Sequence, residues 1–289
     1  MRATPDTFAD AIGRAANLFA GSGSPSPRLD AEVLLCHVLG LDRTQLFVRL
    51  REPLSPQDLA RFAELIERRR TGEPVAYLTG KREFMGLPFM VGPGVLIPRP
   101  ETEVIVEWAL GWLRGRPPAT VVDVGTGSGA IALSIAAMRR GSGDRVIAVD
   151  RSEPAIGYAT ANRERLGLVD TVQLVRGDLV TWCAGPVDLV LANLPYLRPE
   201  QRAGNADLHA EPEMALVSGD DGLAAIRRLL ADAPRILAPG GAIALEIDPS
   251  QVVAVRKMAR AALPESRIDV LQDLAGLDRV VVADRSTRP

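Results

Sequence analysis

A chain of 289 residues is long enough for two domains, because typical domains hold roughly 100–200 residues. Its 47% hydrophobic content is ordinary for a globular protein, and its apolar runs are short and interrupted, which argues against a transmembrane helix. The formal net charge of −2 lacks the basic excess of a nucleic-acid binder, so a protein or small-molecule substrate is favoured.

The N-terminus and the cysteines indicate an intracellular protein. Residues 1–19 have a helical pattern without the apolar core of a signal peptide, so we expect a cytoplasmic location and no membrane partner. Cys36 and Cys183 are far apart and form no CxxC pair. This spacing predicts two buried thiols and no metal site.

Residues 1–73 have the pattern of a small helical domain. Ser55 and Pro56 match a helix N-cap followed by proline at the first helical position. The basic run at residues 68–70 suits the C-terminus of that helix better than a nucleic-acid surface. Apolar residues recur at helical spacing here and in an earlier stretch: Leu59, Phe62, Leu65, Ile66, and Leu34, Leu35, Val38, Leu39. Such a bundle, without catalytic-looking polar residues, suggests recognition or scaffolding.

Residues 74–100 differ in character from the helical region. Short apolar pieces alternate with Gly and Pro, which predicts a β-hairpin linker. The linker runs into a helix that begins near Glu101.

Residues 101–289 alternate between strand and helix patterns. Strands are predicted at 121–124, 145–150, 171–176, 187–192 and 241–247, and helices at 129–139, after Ser152, near 222–236 and near 250–263. This alternation predicts an α/β fold with a doubly wound parallel sheet. Two further strands, 267–272 and 278–284, have no helix between them and should form an antiparallel hairpin at the sheet edge.

A glycine-rich turn follows the first of these strands and is a candidate cofactor site. Its residues are Gly125, Thr126, Gly127, Ser128 and Gly129. Glycine permits positive φ and close approach of the backbone to a ligand, and ligands of open α/β sheets bind at such turns.

Acidic residues after the next two strands extend the candidate cofactor site. Asp150 ends its strand where a carboxylate can accept both hydroxyls of a ribose. Asp178 is placed to reach an adenine amino group, with Leu179 beside the ring.

Two cofactors fit this arrangement. Gly125, Gly127 and Ala130 also match a dinucleotide fingerprint with Asp150 as its acidic partner, so NAD is an alternative. S-adenosyl-L-methionine is favoured by the C-terminal hairpin, by the segment 193–196, and by Asp123 within the first strand, whose carboxylate could face a cationic methionine end.

The segment Asn193-Leu194-Pro195-Tyr196 ends an apolar strand and predicts the chemistry. Asn193 offers a side-chain carbonyl, and Leu194 offers a backbone carbonyl held extended by the following proline. Two adjacent acceptors suit the two hydrogens of a planar –NH2 group, whose flat face Tyr196 can cover. With the glycine turn, the segment indicates a methyltransferase acting on an amide or amino nitrogen.

The whole pattern resembles the class I S-adenosylmethionine-dependent methyltransferases, and within them the N5-glutamine methyltransferases of peptide chain release factors. The resemblance covers nearly the whole chain. Its pieces are 72–80, Glu83-Phe84, 96–103, 123–133, Glu211-Pro212 and 273–280. The linker pieces are the most specific, because amino-nitrogen methyltransferases in general lack them.

The resemblance implies three segments: a helical substrate-recognition domain (1–73), a β-hairpin linker (74–100) and a seven-stranded Rossmann-like methyltransferase domain (101–289). It implies that the substrate is the glutamine of a Gly-Gly-Gln loop in release factors, and hence an effect on translation termination. Residues 125–129, Asp150, Leu179 and Asn193 would contact the cofactor, and residues 193–196 would hold the glutamine.

One residue departs from the family pattern and keeps an alternative open. The family usually carries Asn-Pro-Pro-Tyr, whereas this chain has Leu194 at the second position. Asn-Leu-Pro-Tyr occurs in methyltransferases of ribosomal RNA adenines, so RNA adenine N6-methylation is the second reading. A binding module with an inactive site is a third, which the intact glycine turn, Asp150 and Asn193 argue against.

Three further residues near the motifs have open roles. His209 precedes Glu211-Pro212 and is more often structural than catalytic at such a position. Arg99 and Glu101 could order the mouth of the site or cap the helix that follows.

Overall fold

The computed structural model describes residues 6–286, so the first five residues of the predicted helical region and the last three residues lie outside it. The chain forms two compact units, divided between Lys81 and Arg82. Each unit has its own buried apolar clusters. No helix within 6–286 has the length and apolar character needed to cross a membrane.

The first unit is helical, as the apolar spacing predicted. Its helices are α1 (Phe8–Gly21), α2 (Pro27–Leu39), α3 (Arg43–Val48), α4 (Pro56–Arg70) and α5 (Val75–Thr79). The predicted cap of α4 is confirmed, since the Ser55 side chain accepts a hydrogen bond from the Asp58 N–H at 3.1 Å. The largest buried side chains of this unit are Phe19, Phe62, Ile12, Leu34, Leu35 and Leu46.

The basic run at the end of α4 is engaged within the helical unit. Arg68 pairs with Glu73, and Arg69 pairs with the buried Asp30 of α2. Arg70 pairs with Glu67 one turn earlier. These cations therefore stabilise a helix C-terminus and its neighbours, as the sequence indicated.

Residues 74–100 contain the predicted hairpin, but they begin with helix α5, which the sequence did not indicate. The hairpin strands are β1 (Lys81–Phe84) and β2 (Leu87–Met90). They are joined by Met85 and Gly86, both with positive φ. The Met85 N–H donates to Glu103 Oε1 at 2.7 Å, which holds the turn against the next helix.

The second unit has the predicted seven-stranded sheet. Its strands are β3 (Thr120–Val124), β4 (Arg145–Asp150), β5 (Val172–Arg176), β6 (Val187–Ala192), β7 (Leu237–Glu246), β8 (Arg267–Gln272) and β9 (Asp278–Asp284). The spatial order is β5-β4-β3-β6-β7-β9-β8. The first five are parallel, whereas β9 runs antiparallel to β7 and β8. The C-terminal hairpin at the sheet edge is thus confirmed.

Helices cover both faces of this sheet. They are α6 (Glu103–Leu113), α7 (Ala130–Met138), α8 (Glu153–Arg165), α9 (Pro199–Ala203), α10 (Ala224–Ile236) and α11 (Val252–Ala262). Along β3, Val122 and Val124 belong to one buried cluster and Val121 to the other, as expected for a strand buried on both faces. Because the strands are parallel, Val124, Asp150, Ala192 and Glu246 end at the same edge of the sheet.

Candidate functional site

A cavity of about 300 Å³ lies at the carboxyl ends of the parallel strands, where open α/β sheets bind ligands. Most of the predicted cofactor and acceptor residues line it: Gly125, Thr126, Gly127, Ser128, Asp150, Asp178, Leu179, Asn193, Leu194 and Pro195. Gly129, the last glycine of the turn, is the N-cap of α7 rather than a lining residue.

The glycine turn is held in a left-handed backbone conformation. Gly125, Gly127 and Gly129 have φ values of 77°, 56° and 86°. A Cβ atom at Gly125 would lie 3.0 Å from Leu194 Cδ2, and one at Gly129 would lie 2.7 Å from Leu133 Cδ1. The positive φ values therefore favour glycine at these two positions, and an added Cβ would also displace a leucine side chain.

Asp150 fastens this turn to the end of β4. Its Oδ2 accepts from the Gly127 N–H at 2.9 Å, and its Oδ1 accepts from the Ser152 N–H at 2.8 Å. Burial raises the pKa of the Asp150 carboxyl, against the opposite effect of these backbone N–H groups. Each carboxyl oxygen can accept more than one hydrogen bond, so the group remains able to bind ligand hydroxyls.

Asp178 and Leu179 line the same cavity after β5. The Asp178 Oδ2 forms an ion pair with Arg228, which also lines the cavity. Leu179 has a φ of 50°, which is uncommon for a non-glycine residue and marks a constrained turn.

The acceptor segment leaves β6 beside the glycine turn. The Asn193 Nδ2 donates to Thr102 Oγ1 at 3.0 Å, which turns the amide oxygen away from that hydroxyl. The Leu194 side chain is buried and packs against Gly125. The Tyr196 carbonyl accepts from Gln251 Nε2 at 2.9 Å, which ties the segment to the 3₁₀ turn Pro249–Gln251 that follows β7.

A second cavity of about 220 Å³ adjoins the first. It is lined by Asn193 and Tyr196 of the acceptor segment, by the charged residues Arg99, Asp248 and Arg279, and by Leu96, Leu197, Leu208, Ala215 and Leu216. Leu96, Arg99, Asn193 and Ala215 line both cavities. Asn193 thus lies where the two spaces meet.

The role of Arg99 follows from its partner. Its guanidinium pairs with Glu211, a buried carboxylate that also accepts from the Ile97 N–H at 2.9 Å. The Arg99 side chain forms no capping hydrogen bond to the helical turn after it. Of the two alternatives for Arg99, the structure supports ordering of the cavity wall. Glu211 itself is a family motif residue for which the sequence gave no partner.

Two residues singled out from the sequence lie outside both cavities. Asp123 is fully buried below the glycine turn, where its Oδ2 accepts from Thr126 Oγ1 at 2.5 Å and from the Ala132 N–H at 3.2 Å. Its Oδ1 has no hydrogen-bond partner among the described residues, and the expectation that the carboxylate faces the methionine end of a cofactor stays a prediction. His209 is exposed and lines neither cavity, so its structural role stays a prediction.

Sequence reasoning missed Thr102 and Glu246. Thr102 is buried and lines the first cavity, and Glu246 is 1% exposed at the end of β7. Burial raises the pKa of Glu246 to about 7. The one signal in the sequence was an acid within the apolar run 242–247, where a strand buried on both faces should have none.

Together, the parallel sheet with its C-terminal antiparallel hairpin and the glycine turn define a Rossmann-like methyltransferase fold. Residues 10–80 match the PrmC N-terminal domain, and residues 102–195 match the ribosomal protein L11 methyltransferase family. The T. thermophilus 16S rRNA N2 methyltransferase, solved with AdoMet and guanosine, superposes with a TM-score of 0.52 at 20% identity, covering 71% of this chain and 49% of that one.

Curated relatives share most of their length with this chain. Release factor glutamine methyltransferase from Moorella thermoacetica is 44% identical over 281 residues, covering 96% of this chain and 99% of the relative. The protein of that name from Nitratidesulfovibrio vulgaris is 40% identical, covering 90% and 89%. The chain belongs to the release factor glutamine methyltransferase family.

Proposed function

We propose that the protein transfers a methyl group from S-adenosyl-L-methionine to the side-chain amide nitrogen of the glutamine in the Gly-Gly-Gln motif of peptide chain release factors. The observation that carries the proposal is the relation to curated release factor glutamine methyltransferases over nearly the whole chain. The paired acceptors at the meeting point of two cavities supply the matching chemistry.

The first cavity has the features required of the cofactor site. The turn 125–129 provides backbone that a ligand can approach closely, since side chains are absent at its glycines. Asp150 would accept the ribose hydroxyls, and Asp178 with Leu179 would border the adenine. When bound, S-adenosylmethionine supplies the electrophilic methyl group, and its transfer leaves a thioether while one amide proton is released.

Asn193 and Leu194 would orient the acceptor. The Asn193 Nδ2 is committed to Thr102, so its Oδ1 is the atom available to an incoming amide. The Oδ1 and the Leu194 carbonyl would accept the two N–H bonds of the glutamine, which aims its nitrogen and stabilises the positive charge that develops on it. Tyr196 lines the second cavity, where it would cover the flat face of the amide.

Leu194 is compatible with this geometry despite the usual proline of the family. The arrangement uses only the backbone carbonyl at this position, which leucine retains. The buried leucine side chain also fills the space above Gly125. Pro195, which follows, keeps Leu194 in extended geometry.

Orientation, rather than a strong base, would provide most of the rate enhancement. Holding acceptor and donor in register can supply up to about 7–11 kcal/mol. The amide nitrogen becomes more acidic once it carries the methyl group, so its proton can leave late, to solvent. His209 is exposed and outside both cavities, so it takes no part in this scheme.

We also propose the roles of the segments. Residues 1–73 and the hairpin at 74–100 would provide shaped surface for a release factor, and residues 101–289 would carry the chemistry. The net charge of −2 favours a protein substrate over RNA. A cytoplasmic location fits a partner that acts in translation.

The test is incubation of the protein with methyl-labelled S-adenosylmethionine, intact release factor and, in a parallel reaction, ribosomal RNA. Peptide mapping by mass spectrometry should place the label on the glutamine of Gly-Gly-Gln. Label on RNA adenines with none on that glutamine would establish the alternative that the Asn-Leu-Pro-Tyr spelling allows.

A further inference from the structure

The turn between β8 and β9 lies at the edge of the sheet where the two cavities are found. The pairing of Glu246 with Val280 puts the start of β9 beside the end of β7, and the Ile247 N–H donates to the Arg279 carbonyl at 2.9 Å. Residues 273–280 belong to the family pattern, and the proposed methyl transfer gives them no role. Ligands of open α/β sheets bind at this edge, which makes the turn a candidate for ligand contact.

Asp273 holds both the turn and the Arg279 side chain. Its Oδ1 accepts from the Ala275 and Leu277 N–H groups at 2.9 and 3.0 Å. Its Oδ2 accepts from Arg279 Nε at 2.7 Å. The side chains of Asp273 and Arg279 are 6% and 18% exposed. The guanidinium group is therefore fixed in place by a turn that is itself hydrogen-bonded internally.

Arg279 is a charged donor that lines the second cavity and not the first. Arg99 lines both cavities, and Asp248, which lines only the second, accepts from the Ser250 N–H at 2.9 Å. Asp273 occupies only the Nε–H of Arg279. The Nη1 and Nη2 groups form no hydrogen bond within residues 6–286, so they can donate to a ligand in the second cavity.

The charges and size of the second cavity favour a neutral peptide segment. Arg99 pairs with Glu211 and Arg279 pairs with Asp273, while Asp248 adds a further negative charge. No positive excess remains to attract the phosphate groups of RNA. The volume of about 220 Å³ is below the roughly 300 Å³ at which pockets for drug-sized ligands begin. The cavity therefore suits one side chain and the main chain beside it.

We propose that Arg279 binds main-chain carbonyl groups of the loop that carries the acceptor glutamine, while Asn193 and Leu194 hold the glutamine side chain. This assignment rests on the proposed function. A glycine-rich loop has no side chains that cover its carbonyl groups, so a guanidinium group can approach them closely. Arg279 is thus a substrate-binding residue that acts away from the reacting nitrogen and from the cofactor.

The experiment compares three variants of the full-length protein. Arg279→Met removes the guanidinium group and keeps an unbranched side chain. Arg279→Lys keeps the charge but not the planar fork of N–H donors. Arg267→Met is the matched control, because Arg267 lies on β8 of the same hairpin, pairs with Asp269 through its Nε at 2.7 Å and lines neither cavity.

Binding and turnover are measured separately for each variant. Calorimetry gives the dissociation constant of unmethylated release factor in the presence of the demethylated cofactor S-adenosylhomocysteine, and that of S-adenosylmethionine alone. Labelled transfer to intact release factor gives kcat and KM. Circular dichroism verifies the fold.

Arg279→Met should raise Kd and KM for release factor at least about 10-fold, as expected for the loss of a charge-assisted hydrogen bond. Its kcat and its affinity for S-adenosylmethionine should stay within about 3-fold of the wild type, because Arg279 does not line the first cavity. Arg279→Lys should recover part of the lost affinity. Arg267→Met should match the wild type in every measurement.

A fourth variant keeps the test decisive if Arg279→Met does not fold. Asp273→Asn retains an oxygen that can accept from the N–H groups of the turn, but its neutral amide no longer holds the guanidinium group by charge. It should weaken binding of release factor and leave the affinity for S-adenosylmethionine unchanged.

An unchanged Kd for release factor in Arg279→Met would overturn the assignment. So would a loss that falls equally on kcat and on cofactor affinity, since that pattern indicates a distorted site rather than a lost substrate contact. In both cases the wild type still methylates the glutamine and the proposed function stands. A wild-type protein that neither binds nor methylates release factor would disprove the proposed function and the assignment with it.

Discussion

At the scale of single residues, Asn193 is the acceptor residue that lines both cavities. The Asn193→Ala variant should lose methyl transfer, because one of two preorganised acceptors is removed, at a cost on the order of 3–4 kcal/mol of barrier. Cofactor affinity should change little, since the backbone of the segment is retained. Turnover is measured with release factor, and affinity by calorimetry.

The control for Asn193 is Asn205→Ala, which truncates an exposed asparagine. It should leave both measurements unchanged. Near-normal turnover by Asn193→Ala would contradict the paired-acceptor geometry.

Asp150 serves both the turn and the proposed ribose site. Asp150→Ala should weaken binding of S-adenosylmethionine, because it removes the ribose acceptor and releases the Gly127 and Ser152 N–H groups. Asp170→Ala, an exposed aspartate, should bind as the wild type does. Calorimetry measures the affinity of each variant for S-adenosylmethionine and for NAD. Saturable micromolar binding of NAD would reverse the choice of cofactor.

Asp123 makes stability depend on pH. Burial raises its folded-state pKa from 3.8 to about 7, so the unfolded chain ionises at lower pH than the folded protein. Between these values the unfolded state binds fewer protons, and the free energy of unfolding therefore falls as pH rises. Below pH 3.8 the Asp123 carboxyl is protonated in both the folded and the unfolded state. Above about pH 7 it is ionised in both states, and the free energy of unfolding has fallen by its full amount.

Asp123→Asn should flatten this dependence in the cofactor-free protein, because the amide does not ionise. Urea unfolding at pH 5, 6, 7 and 8 measures the slope, and Glu246 contributes the part that remains. Asp170→Asn should keep the wild-type slope. Equal slopes for Asp123→Asn and the wild type would show that Asp123 titrates normally.

At the scale of structural elements, the glycine turn and the acceptor segment are packed together. Gly125→Ala should impair cofactor binding and turnover in one step, since its Cβ would lie 3.0 Å from Leu194 Cδ2 and its φ of 77° is unfavourable for alanine. Calorimetry and the methylation assay measure the two losses.

Gly13→Ala in α1 is the matched control, because no atom lies within 4 Å of the added Cβ. It should stabilise the protein by roughly 0.5–1 kcal/mol, as expected for alanine in a helix. Full cofactor affinity in Gly125→Ala would show that the turn can move away from Leu194.

Most elements followed from the sequence because their signals are local. The strands 145–150, 187–192, 267–272 and 278–284 have the predicted bounds, since each is an apolar run between turn residues. Strand β7 begins earlier than predicted, at Leu237, because a bulge accommodates Gly240 and Gly241 between its pairings with Val187 and Leu189. Because a glycine pair is typical of a turn, the sequence predicted a turn before residue 241.

Short helices and long-range contacts could not be predicted from the sequence. Helix α5 has five residues between Pro74 and Gly80, too few to show a helical period. Thr102 and Asn193 are separated by 91 positions, so their hydrogen bond exists only after the sheet has formed. The ion pair between Arg99 and Glu211 likewise joins residues that are far apart in the sequence and meet only in the folded protein.

At the scale of the whole molecule, the two units have separate apolar cores. The buried clusters of the second unit begin at Phe84, and helix α5 packs its Leu78 into the cluster of the first. A truncation for functional tests should therefore remove residues 1–81. Removal of residues 1–73 alone would take away the partners of α5 and expose its Leu78.

The truncated chain should bind S-adenosylmethionine but methylate release factor poorly, if the helical unit contributes the substrate surface. Calorimetry and labelled transfer measure the two properties, with circular dichroism to verify the fold. Wild-type turnover by the truncated chain would assign recognition to the second unit alone.

The two thiols of the chain are both buried, with exposures of 8% for Cys36 and 7% for Cys183, and burial raises the pKa of the Cys36 thiol. Thiol reagents act on accessible thiolates. The two cysteines of the native protein should therefore react little with maleimide reagents. A cysteine introduced on the surface of each unit would accept a donor and an acceptor dye without removal of either native cysteine, and the energy transfer between them would follow the two units as a release factor binds.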